Sequence, residues 1–103
     1  MKDFDGKANE YYNAGKYEQA LKIYSAILPK TEEIMLTIAT CWQNLNNIQE
    51  ALKAYQEAFV LNPKNADTAY YIATIMIDNG ISQTEGLSFL NKALEHYLEK
   101  VLK

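Results

Sequence analysis

Apolar residues along the chain recur with the spacing of one helix face, and this pattern occurs twice in nearly the same form. The stretch YEQALKIYSAIL at residues 17–28 is matched by IQEALKAYQEAF at residues 48–59. In each copy the apolar positions follow the i, i+3, i+4 spacing that places them on one side of an α-helix. These positions are Tyr17, Ala20, Leu21, Tyr24 and Leu28, then Ile48, Ala51, Leu52, Tyr55 and Phe59. The two stretches predict amphipathic helices of the same design.

Another amphipathic segment precedes each of these helices, and a short polar joint separates the members of each pair. The apolar positions of the preceding segments are Phe4, Ala8 and Tyr11, then Met35, Ile38, Ala39 and Trp42. The joints, residues 13–16 and 44–47, contain Gly and Asn, which supply the left-handed backbone that ends many helices. Pro29 and Pro63 follow the second helices, which proline cannot continue. The pattern predicts antiparallel helix hairpins.

A third pair follows in the last part of the chain. Its first helix is predicted from the spacing of Ala69, Ile72, Ala73 and Met76. Ser82 and Glu85 have the spacing of a capping box, which predicts a final helix from about Gln83 to Lys103. Small residues recur at Ala20, Ala51 and Gly86, so the repeated unit is about 34 residues long. We expect these small residues to lie where the paired helices cross.

The repeated positions resemble the tetratricopeptide repeat, whose pattern is W-x2-L-G-x2-Y followed by A-x3-F and P. The second pair reads Met35-x2-Ile38-Ala39-x2-Trp42, then Ala51-x3-Tyr55 and Pro63. The resemblance implies an all-α fold of three such hairpins, six helices in all, stacked as a short right-handed α-solenoid. We expect one domain over residues 1–103, with repeats at about 1–31, 32–65 and 66–99 and the last helix extended to 103.

Composition and charge narrow the possible partners. Hydrophobic residues make up 49% of the chain, charged residues 22%, and the formal net charge is −3. A folded, acidic surface of this kind repels phosphate backbones, so we expect no nucleic-acid partner. No apolar run is long enough to cross a bilayer, so we expect no membrane partner. The single Cys41 and the lack of a secretion signal favour the cytoplasm.

The sequence offers little for catalysis. His96 is the only histidine, so the chain has no histidine pair for a metal site. We interpret His96 as a surface residue. Cys41 lies on the apolar face of its helix, where a thiol is more often buried and inert than reactive. We therefore predict no enzyme activity, no catalytic residues, no metal and no cofactor.

The first helices of the hairpins present a second face, turned away from the packing stripe. This face is predicted to form a peptide-binding groove, because apolar residues recur there at one register on successive helices. The predicted groove residues are Asp5, Asn9, Tyr12, Asn13, Leu36, Thr40, Gln43, Asn44, Tyr70, Thr74, Ile77 and Asp78. They favour a protein or peptide partner with apolar anchors and some basic character. The predicted function is an adaptor, scaffold or chaperone that binds an extended peptide.

The resemblance also implies what this groove does not bind. Tetratricopeptide domains that hold the C-terminal carboxylates of heat-shock chaperones use Lys, Arg and Asn on these helices. The matching positions here are Asp5, Asn9, Thr37, Asp67 and Tyr71, of which only Asn9 conforms. Recognition of a free carboxylate is therefore disfavoured.

A narrower resemblance offers an alternative function. The run from Ala8 to Ala20, with Tyr12-Asn13-x-Gly15-Lys16, is similar to the first repeat of bacterial type III secretion translocator chaperones. The segments Ile34–Ala39 and Ala58–Leu61 resemble their second repeat. This resemblance implies a small acidic protein whose groove holds an extended segment of a translocator.

The final helix has a longer apolar stripe than one neighbouring hairpin can cover. Residues Tyr97, Leu98, Val101 and Leu102 are predicted to be exposed in a monomer and to permit self-association. A homodimer through this C-terminal helix is therefore possible. A module that serves mainly in structural assembly is a further alternative.

Overall fold

The computed structural model describes residues 2–102, and their side chains from residue 6 onward. Over these residues the chain forms six α-helices and no strand. They are α1 (Lys2–Asn13), α2 (Tyr17–Ala26), α3 (Glu32–Asn44), α4 (Ile48–Leu61), α5 (Ala66–Asp78) and α6 (Gln83–Leu102). Each helix packs against the next one along the chain, with the closest packing within the pairs α1–α2, α3–α4 and α5–α6. The predicted all-α fold of three helix hairpins is confirmed.

Small residues lie at the crossing points of the hairpins, as the sequence predicts. The side chains of Ala8, Ala20, Ala39, Ala51 and Ala73 are completely buried. At the sixth position, Gly86, a Cβ would lie 2.7 Å from Cγ1 of Ile77 and 3.3 Å from the carbonyl oxygen of Ala73. A larger side chain at these places would force the helix axes apart, because protein interiors are close-packed.

The three hairpin turns share one backbone design. Gly15, Asn46 and Gly80 have φ angles of 77°, 62° and 63°, which place them in the left-handed region. The residue after each one donates its backbone N–H to the carbonyl five residues back, at 2.8 Å from Lys16 to Tyr11 and 2.9 Å in the other two turns. This is the Schellman ending of a helix. The Gly and Asn signals in the sequence therefore identify the turns correctly.

Side chains cap the helix starts. Thr31 accepts a hydrogen bond from the N–H of Ile34 at 3.2 Å, and Ser82 accepts one from the N–H of Glu85 at 3.1 Å. The second bond is one half of the predicted capping box, and α6 begins at the predicted residue, Gln83. Such caps satisfy backbone donors that have no partner within the helix.

The ends of the second and third hairpins are closed by polar links. The carboxylate of Glu32, at the start of α3, accepts hydrogen bonds from the amides of Asn62 at 3.1 Å and Asn65 at 2.6 Å. In the third hairpin the hydroxyl of Tyr97 donates to Asp67 at 2.6 Å. Both links join the end of a second helix, or the loop after it, to the start of the first helix of the same hairpin.

None of the helices in the described part of the chain has the length and apolar character needed to cross a membrane.

Candidate functional site

A cavity of about 480 Å³, here called the groove, lies where the first five helices meet. All three hairpins contribute to its lining. The lining residues are Asn9, Tyr12, Tyr24, Glu32, Glu33, Leu36, Thr37, Thr40, Tyr55 and Tyr71. A second cavity of about 340 Å³ adjoins it near the end of α2 and shares Asn9, Tyr24, Glu33 and Thr37 with it. Together they form a long depression across the first two hairpins.

Tyrosine hydroxyls tie neighbouring helices together along the groove. Tyr24 on α2 donates to the amide oxygen of Asn9 on α1. Tyr55 on α4 donates to the amide oxygen of Gln43 on α3 at 2.5 Å. Tyr12 on α1 donates to the hydroxyl of Thr40 on α3 at 3.2 Å, which links the first hairpin to the second. These bonds join α1 to α2, α3 to α4 and the first hairpin to the second along the groove wall.

Aromatic rings continue the wall into the third hairpin. The rings of Tyr55 and Tyr71 lie 5.5 Å apart with an angle of 41° between their planes. Tyr70 stands beside Tyr71, with the ring centroids 6.3 Å apart. Burial, together with the neighbouring Tyr71 and Tyr12 hydroxyls, raises the pKa of Tyr55 to about 12, so this hydroxyl is neutral at physiological pH. The wall is therefore aromatic and polar, and the hydroxyl of Tyr55 adds no charge to it.

The charge of the groove comes from two adjacent glutamates. The carboxylate of Glu32 is held by Asn62 and Asn65, whereas Glu33 is exposed and lines both cavities. No basic side chain is among the described residues that line either cavity. The groove is consequently an acidic, tyrosine-walled surface.

The structure brings together some of the predicted groove residues and separates others. Asn9, Tyr12, Leu36 and Thr40 line the groove as predicted. Gln43 reaches it indirectly, through its bond to Tyr55. The predicted residues that do not line it are Asn13, Asn44, Tyr70, Thr74, Ile77 and Asp78. The side chain of Asp5 lies outside those that the structure describes. A binding role for this set stays a prediction.

Two details of the predicted face need correction. Tyr12 and Leu36 are predicted to face away from the packing stripe. In the structure they are half-buried and pack against the hydrophobic core. Ile77 is half-buried and lies against Gly86 at the crossing of α5 and α6. Tyr12 bonds to Thr40 between the first and second hairpins, whereas Ile77 packs inside the third hairpin. The predicted face and the packing face therefore share residues for two different reasons.

Sequence reasoning missed several residues of the groove. Tyr24 and Tyr55 had been interpreted as packing residues; they are indeed buried, but they also line the groove. Glu32 and Glu33, in the first turn of α3, also line the groove and were not among the predicted residues. Thr37 and Tyr71 could have been found, because they match the ligand-contacting positions of related carboxylate-binding domains.

The C-terminal self-association residues divide into two groups. Leu98, Val101 and Leu102 are exposed, as predicted. Tyr97 is half-buried and bonded to Asp67, because it lies on the side of α6 that faces α5. Its hydrogen bond to Asp67 raises the pKa of Tyr97 to about 12.

The two candidate reactive residues are Cys41 and His96. Cys41 is completely buried, and burial raises the pKa of its thiol to about 11. His96 is half-buried and lies 4.0 Å from Glu99. Within the part of the chain that the structure describes, no group of three or more His, Cys, Asp or Glu side chains could hold a metal ion.

The comparison with known families identifies the repeat. Residues 32–65, which form α3, α4 and the loop after them, match the tetratricopeptide repeat. A curated relative, tetratricopeptide repeat protein 1 of Schizosaccharomyces pombe, is 32% identical over 100 residues. That alignment covers 90% of this chain and 10% of the relative, so the chain spans about a tenth of that relative's length. The predicted recognition is confirmed: residues 32–65 are a tetratricopeptide repeat, and the chain has the fold of tetratricopeptide-repeat proteins.

Solved structures agree with this fold. The type III secretion chaperone SycD of Yersinia enterocolitica, in complex with a peptide of the translocator YopD, superposes with a TM-score of 0.79 at 23% identity, over 92% of this chain and 74% of that one. PcrH in complex with the chaperone-binding region of PopB gives 0.78 at 19% identity, over 92% and 78%. MamA gives 0.83 at 14% identity, over 93% and 57%. At these identities the likeness shows the fold alone.

Proposed function

We propose that this protein is a non-enzymatic interaction module that binds an extended segment of a partner protein in the groove. The observation that supports this most is the shared lining: five helices from three hairpins contribute to one depression. A depression built from successive repeats suits an extended chain, since each repeat can contact a different part of it. Some solved neighbours are complexes with segments of other proteins, which supports the same proposal.

The lining indicates what the segment should contain. The faces of Tyr12, Tyr55 and Tyr71, with Leu36 beside them, suit an apolar side chain. The exposed carboxylate of Glu33 suits a Lys or Arg nearby, and aromatic faces also attract such cations. The partner segment therefore combines an apolar anchor with a basic residue. It binds in the cytoplasm, where we place the protein.

A defined peptide array tests this proposal. The probes are immobilised 12-residue peptides in which one Leu and one Lys are placed at varied spacing, with Glu replacing Lys in a parallel set. We expect binding to a subset of the Lys peptides and a loss of binding to the Glu set. Binding to neither set, or equally to both, would contradict the proposed groove chemistry.

A matched pair of variants locates the binding surface. Tyr71→Ala removes an exposed ring from the groove wall, whereas Val60→Ala removes an exposed apolar side chain beside Lys30, Met35 and Leu61, away from the groove. We expect Tyr71→Ala to weaken the best array peptide by about tenfold or more, since interface aromatics often contribute over 1 kcal/mol. Val60→Ala should leave the affinity unchanged. Equal effects of the two variants would place the binding site elsewhere.

A second candidate function is that of a type III secretion translocator chaperone. It is favoured by the sequence resemblance of the first two repeats and by neighbours solved with a peptide of the translocator YopD and with the chaperone-binding region of PopB. Calorimetric titration with a synthetic peptide of YopD tests it directly. Heat of binding that disappears in Tyr71→Ala would support this function, and no binding up to about 1 mM peptide would count against it.

A further inference from the structure

Helix α6 carries a line of exposed apolar side chains that no other helix of the described chain covers. Leu87, Leu94, Leu98 and Val101 are 53%, 50%, 57% and 78% exposed. These residues follow helical spacing, so they form one stripe along α6, which we call the α6 stripe. A contiguous apolar stripe differs from single exposed apolar residues, which are common on protein surfaces.

The repeat architecture explains why this stripe is left uncovered. Helix α2 packs against α1 and α3, and α4 packs against α3 and α5. Apart from the contacts of Phe59 with Phe89 and Lys92, α6 packs substantially against α5 alone. Leu87 follows the small residue Gly86 as Leu21 follows Ala20, yet Leu21 is buried near Trp42 of the next hairpin. The α6 stripe thus lies on the side of the helix where, in the first hairpin, a neighbouring hairpin packs.

The spacing of the stripe is the same in both chain directions. With the half-buried Leu90 included, the apolar positions along the line of the stripe are 87, 90, 94, 98 and 101. Leu102, which is 83% exposed, lies beside this line at the end of α6 and has no counterpart in it. The intervals are three, four, four and three residues, so the pattern is symmetric about Leu94. If two such helices lie antiparallel with a two-fold axis at Leu94, Leu87 faces Val101 of the other copy and Leu90 faces Leu98. Leu94 then faces Leu94 of the other copy.

We propose that the α6 stripe is a self-association surface whose occupant is the α6 stripe of a second copy, packed antiparallel about Leu94. A two-fold interface uses the same patch on both subunits, so it requires a patch that matches its own reverse. The α6 stripe meets that requirement, which a surface for an unrelated partner helix does not have to meet. Ser88 and Lys92 are exposed polar residues that flank the α6 stripe next to Leu87, and the ammonium of Lys92 lies over the rings of Phe59 and Phe89. This inference does not depend on the proposed groove, to which α6 contributes no residue.

Sedimentation equilibrium of the full chain tests the dimer. We expect a reversible dimer, with twice the 11.8 kDa mass of one chain, at concentrations of about 10–100 µM. Leu94→Asp places two carboxylates at the two-fold axis and should raise the dimer dissociation constant at least about 100-fold. Ser88→Asp adds the same charge to an exposed residue that flanks the α6 stripe and should change the constant at least about tenfold less than Leu94→Asp. Circular dichroism checks that both variants keep their helices.

Cysteine cross-linking tests the antiparallel register. With Leu94→Cys, the two thiols face each other, and oxidation by dissolved oxygen with a copper catalyst joins them in a disulfide, with two electrons and two protons passing to the oxygen. Leu87→Cys places the two thiols about 14 residues apart along the antiparallel pair, roughly 21 Å, which is too far for a disulfide. We expect Leu94→Cys to cross-link at least about tenfold faster than Leu87→Cys. The buried Cys41 should not react.

Three results would overturn the proposal. One is a monomer at about 1 mM for the unmodified chain. Another is a dimer that Leu94→Asp leaves intact. A third is faster cross-linking through Leu87→Cys than through Leu94→Cys, because that would show a parallel or different pairing.

Discussion

The second hairpin, α3–α4, and the third, α5–α6, share one packing design but have different neighbours. Both have a left-handed residue in the turn, a small residue at the crossing and a polar link at the open end. The second hairpin lies between two others, and its tyrosine, Tyr55, supplies part of the groove wall. In the third hairpin the matching position is Leu90, which has no hydroxyl, and the outer side of α6 is uncovered. Position in the stack, together with the replacement of Tyr55 by Leu90, therefore distinguishes the proposed binding part of the molecule from its end.

The two crossings also differ in how closely the helices approach. In the second hairpin Ala51 fits under α3 with its side chain completely buried. In the third hairpin there is no room even for a Cβ at Gly86, since Ile77 and the Ala73 carbonyl oxygen lie too near. The third hairpin is thus packed more tightly at its crossing than the second, although its outer side is open.

The largest expected effect concerns the crossing of the second hairpin. Ala51→Leu adds three carbon atoms where no space is available, so we expect a loss of about 1–3 kcal/mol or more in the free energy of unfolding. Calorimetry should show a fall in melting temperature of about 4–8 °C for each kcal/mol. Ala26→Leu, at the exposed end of α2, is the control and should change little. If the two variants melt alike, the crossing is not at Ala51.

A smaller effect is expected at the crossing of the third hairpin. Gly86→Ala should destabilise the protein by roughly 1–2 kcal/mol because of the contact with Ile77, although Ala is the better helix former by about 1 kcal/mol. In the background of Ile77→Ala the added methyl has room, so the same change should become neutral or stabilising. Urea unfolding of the four proteins in this double-mutant cycle measures the coupling.

Gly6→Ala is the control for that cycle. A Cβ at Gly6, on α1, would meet nothing within 4 Å, so this change should stabilise slightly in either background. If Gly86→Ala has the same effect with and without Ile77, then Ile77 does not pack at this crossing. Its place in the predicted groove would then have to be reconsidered.

The fold could be predicted from the sequence because its determinants are local. Helical periodicity, the left-handed turn residues and the small residues at the crossings each depend on a few neighbouring positions. Gly15, Asn46 and Gly80 mark the three turns directly in the sequence. Only details such as the short α2, which ends at Ala26, needed the structure.

The groove was harder to predict because it depends on contacts between repeats. The helical register alone selected Tyr70 and Ile77, which the structure places outside the groove lining. Of the five positions that match carboxylate-binding domains, Asn9, Thr37 and Tyr71 line it, Asp67 does not, and the side chain of Asp5 lies outside those described. Helical periodicity could not assign Tyr24 and Tyr55 to the groove. A tyrosine that only packs in the core and one whose hydroxyl also bonds the neighbouring helix have the same place in the apolar pattern.

The smallest expected effect concerns the polar links at the open ends of the two hairpins. In the second hairpin Glu32 accepts two hydrogen bonds in a partly buried place, whereas in the third a single bond joins Tyr97 to Asp67 near the surface. Tyr97→Phe removes that bond and should lower the free energy of unfolding at neutral pH by no more than about 1 kcal/mol. Urea unfolding at a series of pH values measures this difference between the two proteins.

The difference should also disappear in alkali, and its direction follows from the pKa. The bond to Asp67 raises the pKa of Tyr97 to about 12 in the folded protein, above the value of about 10 for an unfolded tyrosine. A raised folded-state pKa means that the stability from this bond is complete below about pH 10 and is lost as the pH rises through about 12. The difference in the free energy of unfolding between the original protein and Tyr97→Phe should therefore narrow over that range.

Tyr55, whose pKa is also about 12, is present in both proteins and does not affect the comparison. Tyr70→Phe is the control at neutral pH, since Tyr70 is exposed and its hydroxyl makes no hydrogen bond within the described residues, so this change should leave the free energy of unfolding nearly unchanged. A gap for Tyr97→Phe that stays constant up to pH 12 would mean that the Tyr97–Asp67 bond does not contribute to closing the third hairpin.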